Sequence, residues 1–168
     1  SIDEINQSDY SLNMRPEREF SLPDNFWPVK KLTYRIAKQD RAAPLIFLIA
    51  GTGARFDSSI NEYLKKLYYK AGYHVVQLSS PTSFDFISAA SRFATPGITQ
   101  EDAEDMYRVM QAVRAQNATL PVTDFYLTGY SLGALDAAFV SKLDETRRSF
   151  NFKKVLLLNP PVNLYTSI

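Results

Sequence analysis

Phe125-Tyr126-Leu127-Thr128-Gly129-Tyr130-Ser131-Leu132-Gly133-Ala134-Leu135 is the stretch around which the rest of the chain is organised. An apolar run breaks into Gly-x-Ser-x-Gly and resumes with helical spacing, which reads as a strand, a sharp turn holding one serine, and a helix. A serine at the apex of such a turn takes a strained backbone conformation, and glycines two residues to either side leave room for neighbouring elements. The helix that follows aims backbone N–H groups at whatever sits beside the Ser131 hydroxyl. That is the geometry a nucleophile needs. The competing reading is an ordinary strand-to-helix turn whose serine merely caps the helix.

Upstream of this stretch, Pro44-Leu45-Ile46-Phe47-Leu48-Ile49-Ala50 is short and continuously apolar, as a strand covered on both faces is. It runs into Gly51-Thr52-Gly53-Ala54. A helix is then expected, with Asp57 or Ser58 at its start, Ala71-Gly72 at its end, and Ile60, Leu64, Leu67 and Tyr68 on its buried stripe. Tyr73 to Leu78 is a second buried strand, so the strand-helix-strand unit makes a right-handed crossover. Val29 to Ala37 alternates at its end, with Leu32, Tyr34 and Ile36 on one side, and reads as an edge strand. A mixed segment from Thr82 to Gly97 carries Phe84, Phe86, Ile87 and Phe93. Thr99 then caps a helix that buries Met106, Met110 and Val113. Downstream of the central stretch, Leu132, Leu135, Phe139 and Leu143 form the inner face of its helix, and Phe152 to Leu158 reads as one more buried strand.

Strands alternate with helices throughout, so the expected class is α/β, with a largely parallel, doubly wound sheet whose ligand lies beyond the C-terminal strand ends. Residues 1–28 are polar, with three prolines, and read as an N-terminal arm that Phe20, Phe26 and Trp27 anchor. Residues 29–168 are the domain proper. The chain of 168 residues carries 19 Lys plus Arg against 18 Asp plus Glu, so no net field recommends nucleic acid as a partner. No apolar run is long enough to span a bilayer. The absence of cysteine excludes disulfides and thiolate chemistry, and one histidine with no tight carboxylate cluster argues against a metal site. The compartment is left open, with the periplasm or secretion slightly favoured over the cytoplasm. Asn117-Ala118-Thr119 matches a glycosylation acceptor.

Two glycine turns therefore leave strand ends, Gly51-Thr52-Gly53 and Gly129 to Gly133, and a doubly wound sheet can set them side by side. Acyl transfer needs that pairing. Attack by Ser131 on a carbonyl makes an oxyanion that fixed N–H groups hold best, Leu132 supplying one and Thr52 or Gly53 the other. Arg55, Phe84 and Phe86 are candidates for the substrate pocket, each with a plainer reading as surface or packing residue. The Gly51 turn lacks the third glycine of a dinucleotide fingerprint and the Lys of a phosphate loop.

With Leu48-Ile49-Ala50-Gly51-Thr52-Gly53 as oxyanion strand and loop and Gly129-Tyr130-Ser131-Leu132-Gly133 as nucleophile elbow, the chain resembles the α/β-hydrolase superfamily from about Val29 to Asn159. The resemblance implies Ser131 as nucleophile, elbow glycines Gly129 and Gly133, no cofactor, and a small-molecule or lipid acyl substrate held by an ester, thioester or related bond. It also implies an acid and then a histidine after the elbow. The only histidine is His74, which precedes Ser131 inside an apolar strand and reads as structural. Asp136 and Asp144 lie on the elbow helix, and Asn159 is an amide. The expectation is therefore an N-terminal portion of a longer serine hydrolase, its sheet incomplete at the C-terminal side and the 168 residues inactive by themselves. The chain also begins without Met, as it would if an upstream segment were removed. The alternatives are a non-catalytic α/β-hydrolase-like binding or scaffold domain, and self-association through the incomplete sheet edge.

Overall fold

Continuous apolar strands need cover on both faces, and helices on the two sides of one sheet supply it. The structure, a computed structural model, describes residues 4–14, 29–92 and 99–161. Its elements are β1 (Gln7–Leu12), β2 (Leu32–Ala37), β3 (Ala43–Ile49), α1 (Ser59–Lys70), β4 (His74–Leu78), α2 (Phe84–Ala89), α3 (Thr99–Gln116), β5 (Val122–Tyr130), α4 (Leu132–Arg147) and β6 (Lys154–Leu158). Six strands form one sheet in the order β1-β2-β4-β3-β5-β6. β4, β3, β5 and β6 run parallel, whereas β1 and β2 are antiparallel to their neighbours, so the sheet is mixed with a parallel centre.

β3 is the expected central strand. Leu45, Phe47 and Ile49 face one core with residues of α2, α3 and α4, while Ile46 and Leu48 face a second with Leu64, Tyr68 and Tyr69 of α1. Each such side chain contributes about 1.5–3 kcal/mol on burial. Met106, Met110 and Val113 form the buried stripe of α3 as expected. Asp144 near the end of α4 is 3% exposed and accepts hydrogen bonds from the Tyr107 hydroxyl (2.7 Å) and the Phe150 N–H (3.0 Å), which makes it a structural anchor. Asp136, 1% exposed, has one carboxylate oxygen without a partner. Burial, reinforced by the nearby Asp102, pushes its pKa well above the usual carboxylate range.

Four expectations are corrected. Gln7–Leu12, placed in an arm with little regular structure, is a strand paired along its length to β2, so β1 and not β2 is the outer strand on that side. The anchoring residues Phe20, Phe26 and Trp27, like Phe93 and the cap side chain of Thr99, lie outside the described residues. In α1, Ile60 and Leu67 are 37% and 48% exposed, while the polar Asn61 and Lys65 are buried. The helix is turned this way because its polar side chains find partners. Asn61 Nδ2 donates to the Phe56 carbonyl (3.1 Å), and Lys65 Nζ donates to Glu62 (2.6 Å) and Gln7 (2.7 Å). The inner face of α4 is built from smaller residues, Ala134, Leu135, Ala137 and Val140, while Phe139 and Leu143 are only partly buried because they flank a cavity against α3.

β6 is the fourth correction. It pairs with β5 alone, and Leu156 and Leu157, which point to opposite faces, are each 38% exposed. No further strand lies beside it among the described residues. The glycosylation match is also resolved by burial. Asn117 is 8% exposed and its Nδ2 donates to Tyr34 and to the Val113 carbonyl, both at 2.9 Å, which leaves no access for a glycan.

Candidate active site

Parallel register brings four strand ends to one place. Ile49 is level with Leu78 and Gly129, and Tyr130 with Leu158, so the residues that follow β3, β4, β5 and β6 emerge side by side. At the end of β5, Ser131 has φ 57° and ψ −123°, a region that side-chain-bearing residues rarely enter. Its N–H donates to the Leu158 carbonyl (3.1 Å), and its carbonyl accepts from the Ala134 N–H (2.9 Å). Its side chain makes no capping hydrogen bond to α4. A serine placed merely to cap would sit in the extended region with its hydroxyl on an N–H of the first turn. Ser131 does neither.

The flanking glycines are required by contact distances. A Cβ on Gly129 would lie 2.0 Å from the Gly133 carbonyl oxygen, and one on Gly133 would lie 2.4 Å from the Ile49 carbonyl oxygen and 2.6 Å from that of Ala50. The turn is folded tightly on itself and against the end of β3. Gly51 approaches from that end, since a Cβ there would sit 3.3 Å from the Tyr130 carbonyl oxygen and 3.6 Å from Ser131 Cβ. The two glycine turns lie side by side.

Their N–H groups are not equivalent. Among the described residues, neither the Leu132 nor the Thr52 N–H has an acceptor. The Gly53 N–H, one of the two alternatives for the second donor, already donates to Thr82 Oγ1 at 2.8 Å. The sequence reading missed this tie. Its signal is the small polar cluster Ser79-Ser80-Pro81-Thr82, which follows the Tyr73 to Leu78 strand and runs into the mixed segment that starts at Thr82.

His74 lies at the other end of the sheet. It is level with Leu45, near the start of β3, and opens the five-residue β4, so about 16 Å of strand separates it from the loop that follows. The ring is fully buried. Its Nδ1 accepts from the Gln39 N–H (3.0 Å), which leaves Nε2 to donate to the Pro121 carbonyl (2.9 Å). Burial lowers its pKa, so the folded state holds it neutral while the unfolded chain protonates near pH 6.5. Stability from this group is therefore complete above that pH and declines as pH falls below it. In urea unfolding, His74→Ala is expected to cost about 2–4 kcal/mol at pH 7.5 and to lose less than the wild type between pH 7.5 and 5.5. A wild-type stability that rises on acidification would contradict the neutral assignment.

The pocket candidates separate. Phe86 is fully buried in the core beneath α2. Phe84, on the opposite face of that helix, is 65% exposed. Arg55 lies 3.4 Å from Asp85 and 3.6 Å from Asp57, with its guanidinium over the Phe56 ring, so it is already paired. A cavity of about 670 Å³ lies between α3 and α4, lined by Phe139, Leu143, Lys142, Arg147 and residues of α3, and neither glycine turn borders it. Asn159 follows β6 with φ 46°, its amide nitrogen 3.5 Å from the Tyr130 hydroxyl. Among the described residues no group of three His, Asp or Glu side chains is placed to hold a metal, and no helix is long and apolar enough to cross a membrane.

A mixed sheet in this order, with α1 on one face, α2, α3 and α4 on the other, and a strained serine between β5 and α4, has the α/β-hydrolase fold. No family model and no curated protein sequence matches the chain. Solved structures do. A bacterial heroin esterase aligns over 96% of this chain and 46% of its own, at 16% identity and a TM-score of 0.65. The dienelactone hydrolase of Anabaena variabilis aligns over 96% and 68%, at 13% identity and 0.65. Brefeldin A esterase, described as a bacterial homologue of human hormone-sensitive lipase, aligns over 92% and 40%, at 14% and 0.60. The chain thus spans between 40% and 68% of the length of these proteins.

Proposed function

We propose that this chain is the nucleophile-bearing part of a serine hydrolase that cleaves an ester, thioester or related acyl bond. Ser131 is the nucleophile, and the Leu132 and Thr52 N–H groups receive the oxyanion. The observation that carries this reading is the conformation of Ser131, which has a strained backbone, no capping role and a second glycine turn beside it. Strain of this kind costs about 1–3 kcal/mol and persists where the surroundings enforce it. An esterase-like fold supports the reaction class, and a small-molecule or lipid acyl group is the substrate class.

In this reading the Ser131 hydroxyl attacks the acyl carbon, its proton passes to a base, and the tetrahedral oxygen settles against the two free N–H groups. The base is not His74, which is the chain's one histidine and is buried at the far end of the sheet. The acid and histidine therefore come from sequence outside these 168 residues, and the 168 residues alone turn over little or no ester.

One observation favours a different class. With no base in the chain, the same fold serves equally as a non-catalytic binding domain. Short-chain p-nitrophenyl esters and a fluorophosphonate probe, applied to the product of the complete gene, separate the two readings. Turnover and a labelled serine are expected. Neither would appear from a binding domain, and their absence would sink the hydrolase reading.

A further inference from the structure

The loop after β3 is held from outside itself. Its Gly53 N–H donates to Thr82 Oγ1 (2.8 Å), and its Ala54 carbonyl accepts from the Ser80 N–H (2.9 Å). Phe56, further along, donates its N–H to Ser79 Oγ (2.9 Å). All three hydroxyl residues belong to the segment that follows β4. Ser79 and Ser80 are buried, Thr82 half-buried, and Thr52 and Gly53 exposed.

The two hydroxyls at the centre have a definite hydrogen-bond sense. Ser80 Oγ and Thr82 Oγ1 are 2.8 Å apart, and Ser80 Oγ also accepts from the Thr82 N–H (3.1 Å). Ser80 is fully buried, and its hydroxyl hydrogen has no acceptor other than Thr82 Oγ1. A buried donor left unpaired costs about 1–3 kcal/mol, so Ser80 donates and Thr82 accepts. Thr82 Oγ1 therefore receives two hydrogen bonds, from Ser80 and from the Gly53 N–H, and acts as a fixed point between the buried segment and the loop.

This arrangement sorts the loop's N–H groups. Gly53, with φ 68° and open space around its α-carbon, has no side chain to restrain it, and the bond to Thr82 supplies the restraint. With the Gly53 N–H engaged, the Thr52 N–H is left without an acceptor, one residue from Gly51, where an added Cβ would lie 3.3 Å from the Tyr130 carbonyl oxygen and 3.6 Å from Ser131 Cβ. We infer that Thr82 is a positioning residue. Backed by Ser80, it holds the Gly51–Ala54 turn so that Thr52, and not Gly53, presents the second oxyanion donor. The inference rests on the serine hydrolase reading of Ser131.

The test uses the product of the complete gene with Thr82→Val, Thr82→Ser and Ser80→Ala beside the wild type, a short-chain p-nitrophenyl ester as substrate, and Ser131→Ala as control. Valine keeps the shape of threonine and removes the acceptor. Displacing a donor by about 1 Å costs up to roughly 100-fold, so kcat for Thr82→Val is expected to fall about 10- to 100-fold with KM changed less than about threefold. Ser80→Ala should fall less, and Thr82→Ser should lie within about threefold of the wild type. Hydrogen exchange at the Gly53 amide should quicken in Thr82→Val and recover in Thr82→Ser. An unchanged kcat in Thr82→Val overturns the assignment, as does a loss confined to KM or a serine variant no better than valine. If the wild type itself shows no Ser131-dependent turnover, the hydrolase reading fails and the role of Thr52 with it. The Gly53 exchange then decides separately whether Thr82 holds the loop.

Discussion

Replacing Ser131 by alanine in the product of the complete gene is expected to abolish fluorophosphonate labelling and to lower ester turnover by about four powers of ten or more. The size follows from the role. Removing the nucleophile leaves only the oxyanion donors and binding, which sustain a small residual rate. Ser131→Gly separates chemistry from architecture. Glycine enters the region near φ 57°, ψ −123° without strain, so this variant should be as inactive as Ser131→Ala yet about 1–2 kcal/mol more stable than the wild type in urea. A serine that served as a cap would behave oppositely, losing stability on replacement. Labelling that survives in Ser131→Ala would move the nucleophile elsewhere. A Ser131→Gly variant less stable than wild type would deny the strain.

The second large effect lies in the glycines. Gly129→Ala places a methyl group 2.0 Å from the Gly133 carbonyl oxygen and 2.3 Å from its carbon, and Gly133→Ala places one 2.4 Å from the Ile49 carbonyl oxygen. These are backbone atoms at the meeting of β3, β5 and α4, so no rotamer change relieves the contact. Each substitution should cost about 3 kcal/mol or more, a large share of the 5–15 kcal/mol that an ordinary domain has in reserve. Gly53→Ala is the internal comparison. Its added methyl group meets nothing within 4 Å, and its φ of 68° is the sole penalty, so about 1–2 kcal/mol is expected. Soluble yield and urea midpoints should rank Gly53→Ala well above the other two. Gly129→Ala folding with a loss below about 1 kcal/mol would show that the turn is looser than these contacts require.

Much of the fold was legible because burial on both faces writes itself as continuous apolar sequence. β3 and β4 were readable for that reason. β6 misled for the same reason, since Phe152 to Leu158 has the composition of a covered strand, and composition reports the environment a strand is suited to rather than its neighbours among the described residues. β1 was hidden because Gln7 to Leu12 is polar on nearly every residue, as an outer strand exposed along its length can be. The stripe of α1 was assigned by hydrophobicity, and hydrophobicity could not foresee that Lys65 and Asn61 would find partners on β1, on β4 and in the loop before the helix.

The site divides along the same line. A local motif identified the serine turn and the glycine turn, because tight backbone geometry selects glycine and that choice is visible residue by residue. The sequence by itself determined where a strained serine would sit and that the chain's single histidine precedes it. Tertiary structure decided the relations between segments distant in the chain. It brought Gly51 beside Ser131 across the β3 and β5 register, occupied the Gly53 N–H with Thr82 while leaving that of Thr52 free, drew Phe86 into the core, and set His74 at the opposite end of the sheet. Those outcomes depend on strand order and on which hydroxyl meets which N–H, and neither is encoded in any one stretch of residues.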